Sequence, residues 1–370
     1  MALTHEFLVP PPMSVDPGSQ EIVLCGDVDN ALHSGALRDL LQNPSLGEGT
    51  ITLIIRDPNI TIIGDLNLDW HDYEEAPLHE EATLHGCKSL LRVDLKGCTK
   101  LTQLGNFVFM KCSSLKSVAL PDGLTQLGDY VFMDCYSLTS VTLPDGVAKL
   151  GDSVFMGCTT LTSVALPDGV TKLGYGVFMD CYSLASVTLP DGLTKLGDSV
   201  LSGCSSLTSV ALPDGLTQLG DAVFYNCSSL TSVALSDGIK QLGNCVFSGC
   251  SSLTSVSLPD GLTQLGQSVF YKCSSLTSAA NSAGFSDVVL YLRNRYKCIT
   301  LRKLVLRLLR KYNQVVNEAN GNEDEKHAIA LAHFPTDNSS SLDVGLFLKA
   351  MSASGGDGVI GLVGHILKFV

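Results

Sequence analysis

The residues with the clearest chemical potential in this chain are cysteines that recur at a fixed interval. From Cys112 onward a cysteine follows every 23 residues, at positions 112, 135, 158, 181, 204, 227, 250 and 273. Thiols at regular spacing could form disulfides, bind a metal ion or pack as small apolar side chains. A period without a slip means that one structural unit is stacked on copies of itself, so the thiols are positioned by the coils of a repeat array.

The geometry of such an array discriminates among the three thiol chemistries. Stacked parallel strands lie about 4.8 Å apart, which brings neighbouring cysteines within the distance that a disulfide needs. A ladder, however, directs every Cβ the same way, and this is poor disulfide geometry. No CxxC pair or histidine recurs with the thiols, as a zinc site would require. We therefore predict inward-facing apolar cysteines in a reducing compartment, with no metal and no cofactor.

Each unit reads as a strand, a turn and a second apolar segment. The motif L-T-S-V-A-L alternates apolar and small polar residues, which predicts a short strand with one buried side. A proline ends this strand, and the following Asp-Gly predicts a turn whose glycine is free to take a positive φ. The segment D-x-V-F-x-x-C predicts a helical turn on the convex side. Its phenylalanines, interrupted once by Leu201, predict an aromatic stack inside the coil. They are Phe109, Phe132, Phe155, Phe178, Phe224, Phe247 and Phe270.

Three motifs of the unit carry a family resemblance. The strand L-x-x-V-x-L-P, the step L-x-x-L-G and the closing V-F-x-x-C resemble the BspA-like class of leucine-rich repeats, over residues 87–280. The resemblance implies a leucine-rich-repeat solenoid, in which β-strand/helical-turn coils of 23 residues stack their strands in parallel. It also implies a non-catalytic protein–protein interaction scaffold, or alternatively a cell-surface adhesion or receptor-like protein.

The segments outside the repeat predict four regions. Residues 1–86 form an N-terminal α/β capping region with strands at EIVLCG and TITLIIRDPNITII. Residues 87–280 form the solenoid. Residues 281–320 form a basic helical cap, and residues 321–370 form a tail with short helices. In the basic helix 286–318, cationic side chains accompany an apolar stripe: Arg302, Lys303, Arg307, Arg310 and Lys311. This pattern indicates a helix that seals the last coil, or alternatively one that binds a membrane surface or a calmodulin-like protein.

Charge and motif content argue against several functions. The net charge of −13 argues against nucleic-acid binding, and no phosphate-binding glycine loop is present. Histidines are absent from residues 86–326, and no catalytic constellation stands out, so the sequence predicts no enzyme. His71, His79 and His85 lie among acidic residues that we interpret as a solvated linker rather than a metal site. The chain shows no secretory start and no apolar stretch of about 20 residues, which predicts a cytoplasmic protein.

The residues that break the period are the ones that could distinguish partners. Outward strand positions are almost uniformly serine, which leaves a threonine-serine ladder suited to ice or glycan as a minor alternative. The convex edge varies more, and it predicts a partner-binding zone of aromatic and methionine side chains. Its residues are Tyr130, Met133, Tyr136, Met156, Met179 and Tyr182. Lys149, Lys172 and Lys195 form a further stripe on three successive units.

Overall fold

The computed structural model describes residues 20–25, 41, 51–56, 59–64 and 84–294. The chain divides into two compact units, residues 1–288 and 289–370. The described part of the second unit, residues 289–294, is helical. Within the described ranges, no helix has the length and apolar character needed to cross a bilayer.

The first unit is a parallel β-solenoid, in which each coil of the repeat supplies short strands to two sides. The strands of the first side are β1 (Gln20–Cys25), β2 (Ile51–Arg56), β4 (Leu90–Asp94), β6 (Ser117–Ala119), β9 (Ser163–Ala165), β11 (Ser186–Thr188), β14 (Ser232–Ala234) and β16 (Ser255–Ser257). The strands of the second side are β3 (Ile62–Ile63), β5 (Gln103–Leu104), β7 (Gln126–Leu127), β8 (Lys149–Leu150), β10 (Lys172–Leu173), β12 (Lys195–Leu196), β13 (Gln218–Leu219), β15 (Gln241–Leu242) and β17 (Gln264–Leu265). A helix, α1 (Ser274–Ser282), follows the last coil.

Equivalent residues of neighbouring coils lie directly opposite each other. Val187 of β11 pairs with Val164 of β9, and Leu127 of β7 pairs with Leu150 of β8. Because side chains alternate across a strand, this register keeps every valine and leucine of the pattern on the buried face. The N-terminal strands join the same arrangement, since β2 pairs with β4 and β3 pairs with β5. The strands predicted there are confirmed, whereas the short helix that the segment DNALHSGALRDLLQ predicts between β1 and β2 lies outside the described residues except for Leu41.

Stacked phenylalanine rings fill the interior. The rings of Phe132 and Phe155 are 5.5 Å apart between centroids and 8° from parallel, and those of Phe155 and Phe178 are 5.5 Å apart and 1° from parallel. A second stack runs from Phe224 through Phe247 to Phe270. Each aromatic pair contributes about 0.5–1.5 kcal/mol beyond its buried area. The predicted aromatic stack is confirmed, and it is interrupted where Leu201 replaces phenylalanine.

The third side of each coil is built from consecutive turns whose amides donate in the opposite direction to those of the strands. On the second side, Gly128 N donates to Leu104 O of the preceding coil at 2.8 Å. On the third side, Phe132 N donates to Val154 O of the following coil at 2.8 Å. Residues such as Tyr130 and Asp134 adopt left-handed conformations there, both with φ of 58°.

The prediction of a positive φ for the Asp-Gly glycine is wrong. Across the array, the glycines of these turns are absent from the left-handed region. The turn is closed by a hydrogen bond from Leu124 N to Pro121 O, as in a type I turn, whose central residues both have negative φ.

One left-handed position of the third side alternates between an acidic residue and glycine. Asp134, Gly157, Asp180 and Gly203 occupy it in successive coils. A Cβ built on Gly157 would collide with Oδ1 of Asp134, and one built on Gly203 would collide with Oδ1 of Asp180. Each aspartate therefore leans over the next coil into space that only glycine leaves open.

The cysteines of the period are buried and free, as predicted. Each thiol also donates a hydrogen bond to a backbone carbonyl of the preceding coil, which the sequence did not indicate. The acceptor is a phenylalanine carbonyl except at Cys112, which donates to Leu84 O, and at Cys227, which donates to Leu201 O. The distances are 3.1 Å from Cys135 Sγ to Phe109 O and 3.1 Å from Cys158 Sγ to Phe132 O. Burial raises the pKa of the Cys227 thiol to about 12 and that of Cys273 to about 11, so both keep the proton they donate.

Candidate interaction surface

The sides of the solenoid expose different chemistry. The first side presents serine, threonine and alanine, and the second presents lysine, glutamine and threonine. Apart from Ile62 of β3 and Leu290 beyond the array, the large apolar side chains that the described residues expose are all tyrosines, and these lie on the third side or at its corners. They are Tyr136, Tyr175, Tyr182, Tyr225 and Tyr271. Tyrosine is enriched at binding hot spots, so the third side is the face with recognition capacity.

The structure separates the predicted partner-binding residues into two groups. Tyr136 and Tyr182 project from alternate coils and are 48% and 49% exposed. Met133, Met156 and Met179 are partly buried along the same side. The two exposed tyrosines can therefore contact a partner directly, and the methionines add a discontinuous apolar margin beside them.

Tyr130 and Met133 have a packing role. The Tyr130 ring stacks on Phe107, with centroids 5.1 Å apart and planes 2° from parallel. Tyr130 and Met133 together cover a buried cluster formed by Phe107 and Met110. Burial is the first cause that raises the pKa of Tyr130, followed by the negative charges of Asp129 and Asp152.

Tyr136 and Tyr182 interrupt a ladder of hydroxyl hydrogen bonds. Most coils carry serine or threonine at this position, and its hydroxyl donates to the equivalent carbonyl of the preceding coil. Thr159 Oγ1 donates to Tyr136 O at 3.3 Å, and Ser205 Oγ donates to Tyr182 O at 3.3 Å. A tyrosine side chain projects away from its own backbone and makes no such bond among the described residues. The two coils with tyrosine thus lose a ladder contact and gain an exposed ring.

An acidic side chain accompanies each of these tyrosines. Burial and then the negative charge of Asp134 raise the pKa of Tyr136. The charge of Asp180, followed by burial, raises the pKa of Tyr182. Both phenols therefore stay protonated near neutral pH. The result is a Tyr–Asp pair on alternate coils, with the coil of Thr159 between them.

Comparison with known families identifies the repeat. The sequence model of the family described as "BspA type Leucine rich repeat region" matches residues 80–208 and 173–291, in six copies. These matches cover more than half of the chain. The chain belongs to the BspA-type leucine-rich repeat family. No curated protein gives a significant match.

Solved structures similar to this BspA-type array include bacterial leucine-rich repeat proteins. A leucine-rich repeat protein of T. pallidum is 33% identical, with a TM-score of 0.42, over 46% of this chain and 83% of its own. A leucine-rich repeat protein from Bacteroides ovatus is 25% identical, with a TM-score of 0.38, over 58% of this chain and 69% of its own. A leucine rich cell surface protein from Faecalibacterium prausnitzii is 22% identical, with a TM-score of 0.33, over 64% and 82%.

The remaining predicted residues of this BspA-type protein lie elsewhere. The basic residues of the 286–318 helix, from Arg302 to Lys311, lie outside the described residues, as do His71 and His79. His85 is buried. Among the described residues, no group of three potential metal ligands comes together. Lys149, Lys172 and Lys195 are exposed on the second side, and Tyr175, which the sequence analysis did not single out, follows at the next corner. Its signal was present in the sequence, because tyrosine breaks the L-G-D step there.

Proposed function

We propose that this BspA-type array is a non-catalytic scaffold that binds a protein partner through the Tyr–Asp surface, defined as Asp134, Tyr136, Asp180 and Tyr182. The observation that supports the proposal is the interrupted hydroxyl ladder. At Tyr136 and Tyr182 the chain departs from the residue that stabilises the stack and exposes half of an aromatic side chain instead. Departures from local consistency of this kind are expected at functional sites.

The dimensions of the Tyr–Asp surface suit a protein partner. The two tyrosines lie two coils apart, which corresponds to about 10 Å at the usual strand spacing. The small side chains of the intervening coil leave a slot between the rings that a partner side chain can enter. The carboxylate of Asp134 leans over Gly157 in the intervening coil, where it favours a cationic or hydrogen-bond-donating partner residue. A ring-lined slot with a polar margin is the usual form of a hot spot.

Affinity capture with the full-length protein tests the proposal. The variant Tyr136→Ser/Tyr182→Ser adopts the residue found in other coils and is expected to fold. The matched control is Tyr225→Ser/Tyr271→Ser, because Ser202 and Ser248 occupy the equivalent positions. A third variant replaces Arg302, Lys303, Arg307, Arg310 and Lys311 of the 286–318 helix with glutamine. We expect the wild type, the control and the basic-helix variant to recover the same partner, and the first variant to lose it.

Other results would point to other surfaces. Loss of the partner only from the basic-helix variant would refute the Tyr–Asp surface and favour the membrane or calmodulin-type alternative. Equal loss from both tyrosine pairs would indicate a general aromatic contribution rather than a site. The cytoplasmic location predicted from the sequence stays a prediction, and fractionation of cells that express the protein would test it against the adhesion alternative.

A further inference from the structure

The spacing between coils is not uniform on the second side. The sheet is divided there, because β8 and β10 belong to separate sheets although they are consecutive strands of the side. The distance between the glycine that follows each strand and the backbone of the preceding coil shows how far apart the two coils are. A Cβ built on Gly128, Gly151, Gly197 or Gly220 would lie within 2.8 Å of backbone in the preceding coil, whereas at Gly174 the nearest backbone atom is 3.9 Å away. The coils therefore separate at Gly174 by about 1 Å more than elsewhere.

The separation leaves polar backbone and side-chain groups open. Gly151 N donates to Leu127 O at 2.9 Å and Gly197 N donates to Leu173 O at 2.8 Å, but the amide of Gly174 makes no equivalent bond within the described structure. Thr194 Oγ1 donates to Thr171 O at 3.2 Å, while Thr171 itself has no such bond to the coil before it. A groove of about 700 Å³ extends over this discontinuity and is lined by Thr171 and Gly174, among others.

The same groove carries the lysine row. Lys149, Lys172 and Lys195 are exposed, and they line it on three consecutive coils. Across the described ranges, none of the three forms an ion pair with an acidic residue. At the strand spacing of about 4.8 Å, the ammonium groups repel one another unless a ligand supplies negative charge. Other coils carry glutamine at this position, at Gln126, Gln218, Gln241 and Gln264, so the lysines are confined to the groove.

An acidic ladder beside the groove is interrupted at its centre. Asp152 N donates to Asp129 Oδ1 at 2.8 Å, and Asp221 N donates to Asp198 Oδ1 at 2.8 Å. Between these two contacts Tyr175 N donates to Asp152 Oδ1 at 2.7 Å, but Tyr175 replaces the next aspartate and offers no carboxylate to Asp198 N. The Tyr175 side chain is 46% exposed and lines the groove. The coil at the centre of the lysine row therefore presents a cation and an aromatic face and has no aspartate of its own at this position, although Asp129 and Asp198 of other coils also line the groove.

We propose that this groove binds a linear acidic polysaccharide, with one carboxylated sugar ring on each coil and one ring against Tyr175. The spacing favours a sugar chain. Side chains on one face of an extended peptide repeat at about 6.8 Å, which is out of step with lysines about 4.8 Å apart. An extended 1,4-linked chain of uronate rings, such as polygalacturonate, advances by nearly one coil for each ring. Uronate carboxylates accept hydrogen bonds from lysine and threonine, and a phenol ring packs against the apolar C–H face of a sugar.

Titration calorimetry with hexagalacturonate tests the inference on the full-length protein. The groove variant Lys149→Gln/Lys172→Gln/Lys195→Gln adopts the residue of the other coils. The control variant Lys116→Thr/Lys240→Thr/Lys272→Asn removes the same charge outside the groove, and it likewise adopts residues found in other coils. We expect the wild type and the control to bind, and the groove variant to bind roughly tenfold more weakly or worse, as three exposed ion pairs predict. Tyr175→Asp is expected to weaken binding as well. Neutral maltohexaose should not bind.

Three outcomes would overturn the inference. The first is the absence of hexagalacturonate binding to the wild type. The second is an equal loss of affinity in the groove and control variants, because that would indicate attraction by charge alone. The third is tighter binding of an oligothymidylate of the same charge, which would favour single-stranded nucleic acid. Circular dichroism establishes that each variant is folded. The Tyr–Asp surface is unaffected by these substitutions, so its test and this one fail independently.

Discussion

Two glycines of one coil should respond very differently to the same substitution. Gly220→Ala would place a Cβ 2.7 Å from Asp198 N and 2.7 Å from the Gly197 carbonyl carbon, both in the backbone of the preceding coil. Carbon atoms normally approach to about 3.5 Å, so the coils would have to separate by about 0.8 Å. At Gly215 the nearest atom is Asp191 O at 3.5 Å, an ordinary contact.

The cost at Gly220 follows from the contacts that such a separation would break. Gly220 N donates to Leu196 O at 3.0 Å, and the next amide donates to Asp198 Oδ1 at 2.8 Å. Losing these two hydrogen bonds costs about 1 kcal/mol each, and overpacking adds about 1–3 kcal/mol. We therefore expect Gly220→Ala to lower the free energy of unfolding by about 3–5 kcal/mol. Gly215→Ala should change it by less than about 1 kcal/mol, in either direction.

The assay combines denaturant unfolding with hydrogen exchange. Repeat arrays need not unfold in one step, so the midpoint followed by circular dichroism is supplemented with exchange of peptides that cover residues 196–222. Gly220→Ala should lower the midpoint and accelerate exchange locally, and Gly215→Ala should do neither. If the two variants share one midpoint and keep wild-type exchange, the close approach of coils at this glycine does not limit the fold.

Three further predictions concern the thiols and the tyrosines. The pKa of Cys227 is about 12 in the fold against 9.0 ordinarily, so its stabilising contribution is complete below pH 9.0 and is lost above it, at about 1.4 kcal/mol per pH unit. Urea midpoints measured across pH 9.0 should fall less steeply in Cys227→Ala, and an unchanged slope would contradict this. Tyr136→Ser should regain a ladder hydroxyl bond and raise the free energy of unfolding by up to about 1 kcal/mol, so the melting temperature should stay the same or rise. A clear decrease in melting temperature would show that the ring stabilises the coil. Tyr175→Asp should supply the missing acceptor for Asp198 N and stabilise the array by about 1 kcal/mol, which thermal unfolding would disprove by a lower melting temperature.

The period predicted most of the fold because near-identical coils can stack only in register. Buried Phe155 and Cys158 follow directly, since a residue that is interior in one coil is interior in all. The third side was harder to predict. Tyr130 adopts a left-handed backbone because consecutive turns must close the coil, and a tyrosine side chain does not signal that conformation. Asp134 does carry such a signal, because aspartate is enriched there and its position holds glycine or asparagine in other coils.

The candidate site residues were likewise predictable only in part. Tyr136 and Tyr182 were identifiable because they break the period, and their exposure agrees with that reasoning. Tyr130 breaks it as well, but it packs on Phe107, and composition alone does not separate an exposed aromatic from one that covers a cluster. The wider gap at Gly174 depends on the distance between two backbones, which no single coil encodes.

Because aspartate and glycine alternate on the third side, the number of coils that the array can gain or lose without a clash is restricted. Removing the coil that ends at Gly157 would bring Asp134 and Asp180 into adjacent coils. One carboxylate would then meet the Cβ of the other, and the two charges would repel. Between residues 134 and 249, removing or copying two coils together keeps each aspartate or asparagine at this position beside a glycine. For this position the repeating unit is therefore a pair of coils, and designed arrays should be lengthened or shortened by two coils at a time.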